Sequence, residues 1–165
     1  MRHTTFWQRG TAVLLVLGAS AAGGLLNGSV ADAQVVIGKS IGGIRLGETK
    51  AQVRKARGAP TKSRAFRGYH GQYGRGTDWS YKRLLVTFSS KGRVRGIDTT
   101  LKTEKTTKGI GVGSTIDEVK AAYPAVRCRL ESEVEDLEAC SFGNTIFTAE
   151  DDAVISVDVG FVVYA

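Results

Sequence analysis

The sequence predicts an α+β fold in which two tandem helix-loop-β-hairpin units join into one curved antiparallel sheet with short helices on one face. Three observations lead there. An apolar leader sets residues 1–33 apart, one motif of the remaining chain recurs at an offset of 66, and each copy is followed by two strand-like runs separated by a turn. The domains read from this pattern are a signal peptide (1–33), a basic first repeat (34–104) and an acidic, disulfide-stapled second repeat (105–165).

The first nine residues, MRHTTFWQR, carry Arg2 and Arg9 and no acid, as the positively charged start of a secretory signal does. Thr11 to Leu26 is uncharged but interrupted by Gly18, Gly23 and Gly24, and is shorter than the ~20 apolar residues of a spanning helix. Ala31-Asp32-Ala33 supplies the small-x-small cleavage pattern, which places the cut before Gln34 and leaves no transmembrane span afterwards. No cysteine follows the apolar run to accept a lipid anchor. The expectation is therefore a bacterial-type protein, secreted or held in the cell envelope outside the cytoplasm.

Export bears on the two cysteines. Cys128 and Cys140 are the only pair, and an oxidising compartment gives them one intrachain connectivity. Their Cys-x11-Cys spacing lacks the close pairing of a zinc knuckle, so neither a metal nor another cofactor is expected.

The first element after the leader is a helix. Setting residues 42–60 above 108–126 pairs Gly43 with Gly109, Ile44 with Ile110, Gly47 with Gly113, Thr49 with Thr115, Val53 with Val119 and Ala56 with Ala122. Thr49 and Thr115 are N-cap residues, and Gln52 and Glu118 three positions on complete a capping box in each copy. The first helix should stop near Gly58-Ala59-Pro60 and the second at Pro124.

Strands follow each helix. In copy one, residues 79–88 and 93–101 flank a turn at Ser89-Ser90-Lys91-Gly92 and read as a hairpin; in copy two, residues 139–149 and 153–164 flank Glu150-Asp151-Asp152. This alignment sets Phe147 beneath Phe88 and, after one inserted residue, Val154, Val157 and Asp158 beneath Val94, Ile97 and Asp98. Between helix and hairpin lie a glycine-rich loop, 61–78, and an acidic loop between the cysteines holding Glu131, Glu133, Glu135, Asp136 and Glu138.

The signature Ile-x-Leu/Val-Gly-x-Thr-x-x-x-Val followed by Trp-x-Tyr, an apolar strand, Gly and Val resembles the SmpA/OmlA-like and β-lactamase-inhibitor-protein-like superfamily. The match is carried by Ile44, Leu46, Gly47, Thr49, Val53, Gly58, Pro60, Trp79, Tyr81, Phe88, Gly92 and Val94, with a weaker echo in copy two. The tandem arrangement, the secretion and the disulfide within one unit are more similar to the inhibitor branch than to the single-unit, lipid-anchored assembly proteins. The resemblance implies a fold more firmly than a function.

Charge divides the mature chain. Residues 34–101 hold 15 Lys and Arg against 3 acids, a balance of +12, whereas residues 102–165 hold 6 against 12, a balance of −6. Period two along 79–88 puts Trp79, Tyr81, Arg83, Leu85 and Thr87 on one face and Ser80, Lys82, Leu84, Val86 and Phe88 on the other; the second set fits the core, and Trp79, Tyr81 and Arg83 are expected on the open sheet face as partner-binding residues. The glycine-rich loop adds Phe66, Arg67, Tyr69, Tyr73 and Arg75, aromatics interleaved with arginines. Catalysis is not expected. The only mature histidine, His70, lies in that loop, and no nucleophile-base motif accompanies it. The function expected is a protein-binding module for an exported or envelope protein, an inhibitor being one form of it. The alternatives are an electrostatic binder of anionic envelope polymer, lipid headgroup or nucleic acid through the basic repeat, and an envelope assembly or scaffolding protein.

Overall fold

The computed structural model describes residues 34–67, 74–132 and 136–160. The signal segment and the last residues of the final predicted strand lie outside these. Copy one contains β1 (Gln34–Val36), β2 (Ser40–Ile41), β3 (Ile44–Arg45), helix α1 (Lys50–Arg57), β4 (Lys62–Arg67), β5 (Arg75–Tyr81), β6 (Leu84–Ser89) and β7 (Val94–Thr99). Copy two contains β8 (Lys105–Thr106), helix α2 (Ile116–Ala122), β9 (Arg127–Ser132), β10 (Leu137–Phe142), β11 (Thr145–Glu150) and β12 (Ala153–Gly160).

Both helices begin as the caps predict. The Thr49 hydroxyl accepts from the Gln52 amide while Gln52 reaches back to the Thr49 amide, and Thr115 and Glu118 do the same in copy two. The helices end at Gly58 and at Tyr123, next to Pro124. A strap fastens each helix start to the sheet. The Gly47 amide donates to the Val94 carbonyl (2.7 Å) and the Val94 amide to the Glu48 carbonyl (2.8 Å); Gly113, Val154 and Ser114 repeat this pair at the same distances. Gly47 (φ +85°) and Gly113 (φ +87°) occupy a backbone region that favours glycine, which is the physical reason the motif carries Gly there.

The main sheet is antiparallel, with the eight strands in the order β4-β5-β6-β7-β12-β11-β10-β9. Its two halves meet at β7 and β12, where Thr99, Asp98, Ile97 and Gly96 stand opposite Val157, Asp158, Val159 and Gly160. The strand order inverts across that junction, so a pseudo-twofold axis passes beside Asp98 and Asp158. Copies one and two also share a β-bulge, at Val94-Arg95-Gly96 and Val154-Ile155-Ser156.

One apolar layer fills the helix side of the sheet. Val53 and Val119 of the helices, Val86, Phe88 and Ile97 of copy one, and Phe147 and Val157 of copy two are fully buried. β1, β2, β3 and β8 form a small mixed sheet, with β1 and β8 parallel, on the same side. It is tied down by the Gly38 amide, which donates to Thr145 Oγ1 at 2.7 Å. At its margin Arg57 of α1 reaches the fully buried Glu104 (3.1 Å) and donates to the Gly42 carbonyl.

The expected helix-loop-hairpin unit needs correction: each helix is followed by a four-stranded meander. Lys62–Arg67 and Arg127–Ser132, assigned to loops from sequence, are edge strands. Residues 79–88 and 139–149, each expected as a single strand, are hairpins closed by the two-residue turns Lys82-Arg83 and Gly143-Asn144. The repeat register shifts too. Phe147 opposes Val157 as Val86 opposes Ile97, so Phe147 stands at the place of Val86, and Ala149 at that of Phe88.

The Arg57–Glu104 contact yields a stability test. Arg57→Met leaves a buried carboxylate without its cation and should cost about 2 to 3 kcal/mol, with most of it recovered in an Arg57→Met/Glu104→Met double variant. Urea unfolding of the four proteins measures this. A double variant no more stable than the single one would show that the pair is not the source of the loss.

Candidate functional site

The two-residue turns decide which side chains face outward. A direct hairpin keeps opposed residues on one face, so Tyr81↔Leu84, Trp79↔Val86 and Thr77↔Phe88 are same-face pairs. Trp79 and Tyr81 therefore lie on the helix side and not on the open face expected for them. Trp79 is buried edge-on against Phe88 (centroids 4.8 Å apart), beneath Lys50 and Arg54 of α1. Tyr81 donates its hydroxyl to the Gly58 carbonyl at 3.3 Å. Burial raises the Tyr81 phenol above its ordinary value, and the cations of Arg54 and Arg57 offset part of that rise. Arg83 belongs to the turn and is exposed.

The other sequence-predicted residues separate between the two faces. Phe66 is on the open face, opposite Gly76. Arg67 and Arg75 oppose each other on the helix side, both exposed. Tyr69, Tyr73 and His70 lie outside the described residues, as do Glu133 and Glu135. Cys128 and Cys140 stand directly opposite on β9 and β10 and are joined by a disulfide, which fits an oxidising, extracytoplasmic compartment. A Glu138 carboxylate oxygen lies within 4.8 Å of both sulfurs, but their bond to each other removes the thiolates a metal would need. No described helix is long and apolar enough to cross a membrane.

Both helices and the small sheet occupy one side, which turns the opposite face of the eight strands into the candidate site. Its centre is acidic. Asp98 and Asp158 face one another across the pseudo-twofold axis, both buried, and Asp78 is buried two strands away. Its outer strands are predominantly basic, with Lys62 and Arg64 on β4 and Arg127 and Arg129 on β9, all exposed, although Arg129 is paired with Glu131 of its own strand. Leu85 of β6 and Ile146 of β11 lie between centre and margins, and Phe66 lies on the outer strand β4, all three half-buried. The Arg95 guanidinium stacks over the Phe66 ring at 5.2 Å, and its bulge counterpart Ile155 is exposed. A shallow recess of about 380 Å³ between Arg127, Arg129, Ser141 and Ile146 indents the copy-two end.

The division into a basic and an acidic half thus does not describe this face. On it, charge follows the pseudo-twofold axis, acidic at the junction and basic at both ends. Sequence reasoning placed Leu85 on this face without counting it as a binding residue, missed Arg95 and Ile146, and, by reading a continuous strand through Lys82-Arg83, put Trp79 and Tyr81 on the same face as Leu85 when the turn places them opposite. A signal existed in copy two, where Gly143-Asn144 is a recognised two-residue hairpin turn and the repeat projects it onto Lys82-Arg83.

Asp78 shows what burial does to a carboxyl on this face. Burial raises its carboxyl above the ordinary 3.8, while a hydrogen bond from Thr87 Oγ1 (2.8 Å) and the charges of Arg95 and Arg64 pull it partly back. The folded chain therefore holds more protons than the unfolded one in the window opening upward from 3.8. The Asp78 contribution to stability is most favourable below that window and falls as pH rises through it. Asp78→Asn removes the titration and keeps an acceptor for Thr87, so the variant should gain on the parent between about pH 3 and pH 7. Denaturant titrations at a series of pH values test this, and a gain that shrinks with rising pH would contradict it. Compared with known family models, characterised proteins and solved structures, the chain finds no match.

Proposed function

We propose that this chain is an exported protein-binding module whose working surface is the open face of the eight-stranded sheet. One observation carries the reading: among the described residues the helices and the small sheet all lie on one side of the main sheet, and the opposite side presents half-buried apolar residues between a buried acidic centre and charged margins. Aromatic and arginine side chains dominate binding hot spots, and the stacked Phe66 and Arg95 pair supplies both in a preorganised arrangement. The acidic centre and basic margins would add specificity for a partner of the inverse charge order. The signature around Gly47, Thr49 and Trp79 supports placing the chain with the SmpA/OmlA-like and β-lactamase-inhibitor-protein-like superfamily, in its tandem, secreted, inhibitor-like branch. On that reading the partner is an exported or envelope protein, inhibition is one form the binding could take, and no catalytic step is assigned to the chain.

The corrected register changes which residues should matter. Phe66→Ala and Ile146→Arg should each weaken capture of an exported partner at least about tenfold, the equivalent of ~1.4 kcal/mol, at unchanged melting temperature. Replacing Arg83, in the turn, should leave capture unaltered. Binding measured with purified partner and each variant decides it. Undiminished affinity in both face variants would remove this surface from consideration.

A further inference from the structure

The helix side of copy one carries a charge pattern that the open face does not use. From Thr49 to Thr77 the chain has eight Lys and Arg and no Asp or Glu. The fold draws part of this charge into a line. α1 runs alongside β5 in the same direction: Lys50 Nζ donates to Thr77 Oγ1 at 3.0 Å, Arg54 lies 5.2 Å from the Trp79 ring, and Gly58 meets Tyr81. Two residues before Thr77, on the same face of β5, stands Arg75, directly opposite Arg67 of β4. Cationic groups thus gather at alternate positions 75, 77 and 79 of one strand, steps of roughly 7 Å at strand rise. Beside them Ser63 and Ala65, the helix-side residues of β4, are exposed, because α1 lies over β5 and leaves the edge strand uncovered. The result is a shelf of small side chains bordered by a ladder of cations.

The ladder is not neutralised by its surroundings. Among the described residues Lys50, Arg54, Arg67 and Arg75 make no ion pair, and the first turn of α1 contains no acid. Arg67 and Arg75 are like charges in directly opposed positions, an arrangement that lowers sheet stability. Copy two shows that the fold does not require it. There the residues corresponding to Arg75 and Thr77 are Asp136 and Glu138, the latter paired with Lys120, and α2 opens with Asp117 and Glu118. A row of repelling cations in one repeat, absent from the other, points to an anion supplied from outside.

We propose that this shelf binds a linear phosphate-bearing polymer lying along β4, with Arg67, Arg75, Lys50 and Arg54 as its contacts. A small anion would reach one rung, whereas a chain charged at every unit can meet several together. Planar guanidinium forks suit phosphate oxygens. The surface is on the opposite side of the sheet from the protein-binding face and is independent of it.

The test uses the exported, disulfide-intact protein and long-chain inorganic polyphosphate as the probe. Binding should weaken steeply with salt, and an Arg67→Ala/Arg75→Ala variant should lose at least about tenfold in affinity, with a shallower salt slope. Because those substitutions remove a repulsion, the melting temperature of the unliganded variant should stay level or rise. Arg54→Ala, on the exposed side of α1, should weaken binding separately, while Phe66→Ala should leave it intact. Polyphosphate binding unchanged by both sets of arginine substitutions would overturn the proposal. So would binding of poly-glutamate or anionic phospholipid vesicles with none of polyphosphate.

Discussion

Everything distinctive about this molecule depends on the pairing of β7 with β12. Each repeat alone is a helix on a four-stranded meander, with an exposed edge at either end of the sheet. Joining the inner edges over four opposed residue pairs removes two of those edges and turns two small sheets into one. Because the junction is antiparallel and the copies run in inverted order, it also sets the pseudo-twofold axis. Both helices then fall on one side, the small sheet fills the space over the same side, and the opposite face is left continuous across the chain. A protein of this size gains from the arrangement, since two half-cores become one apolar layer.

The two halves of that layer are built differently, which explains why the repeat is clear in the helices and faint in the strands. Registers equate Trp79 with Cys140 and Val86 with Phe147. Copy one puts its large side chain on β5 and a small one on β6; copy two reverses the order. Phe88 and Ala149 are a further large-to-small exchange, balanced on the other side by Tyr123, which stacks on Phe142 and Phe147 at 4.9 and 6.0 Å. Volume is kept while identities move between neighbouring strands, as close packing permits. The disulfide occupies the position of Trp79 and Ser63, so covalent closure replaces aromatic packing there. Its closed loop is short, worth about 3 kcal/mol in the chain-entropy account.

What could be read in the sequence follows from which features are local. The capping boxes, the stops at Gly58 and Pro124 and the Ser90 and Asp151 turns all rest on residues within a few positions of each other, the cysteine pairing on there being no other cysteine to choose, and the structure has each of them. The face of Trp79 was not legible in the same way. It depended on whether Lys82-Arg83 continues a strand or reverses it, and neither residue is a turn former. With Leu84, Val86 and Phe88 fixed in the core by their apolar alternation, the unrecognised reversal put the positions before it, Trp79 and Tyr81, on the wrong side. The edge strands β4 and β9 were hidden for a related reason: both are largely exposed and rich in charge, with Lys62, Arg64 and Arg67 in one and Arg127, Arg129 and Glu131 in the other, and neither carries a row of large core side chains. Charges on edge strands also guard against sheet-to-sheet aggregation, so the features that concealed them have a physical function of their own.

Charge in this chain follows two different symmetries, and the contrast separates structure from function. On the open face the pattern obeys the axis: Asp98 and Asp158 at the centre, cations on both outer strands. On the helix side it breaks the axis: Asp136 and Glu138 of copy two stand where copy one has Arg75 and Thr77, and Ile116 stands in place of Lys50. Side chains kept for folding should be replaced in pairs, as Trp79 and Phe147 are, because both halves have the same space to fill. An electrostatic difference confined to exposed surface has no such constraint, and most exposed charges contribute little to stability. The asymmetric side is thus where the two repeats have diverged without a packing reason, whereas the symmetric face is common to both halves. On the two proposals made above, these surfaces would serve different partners, one spanning the junction and one confined to the basic repeat.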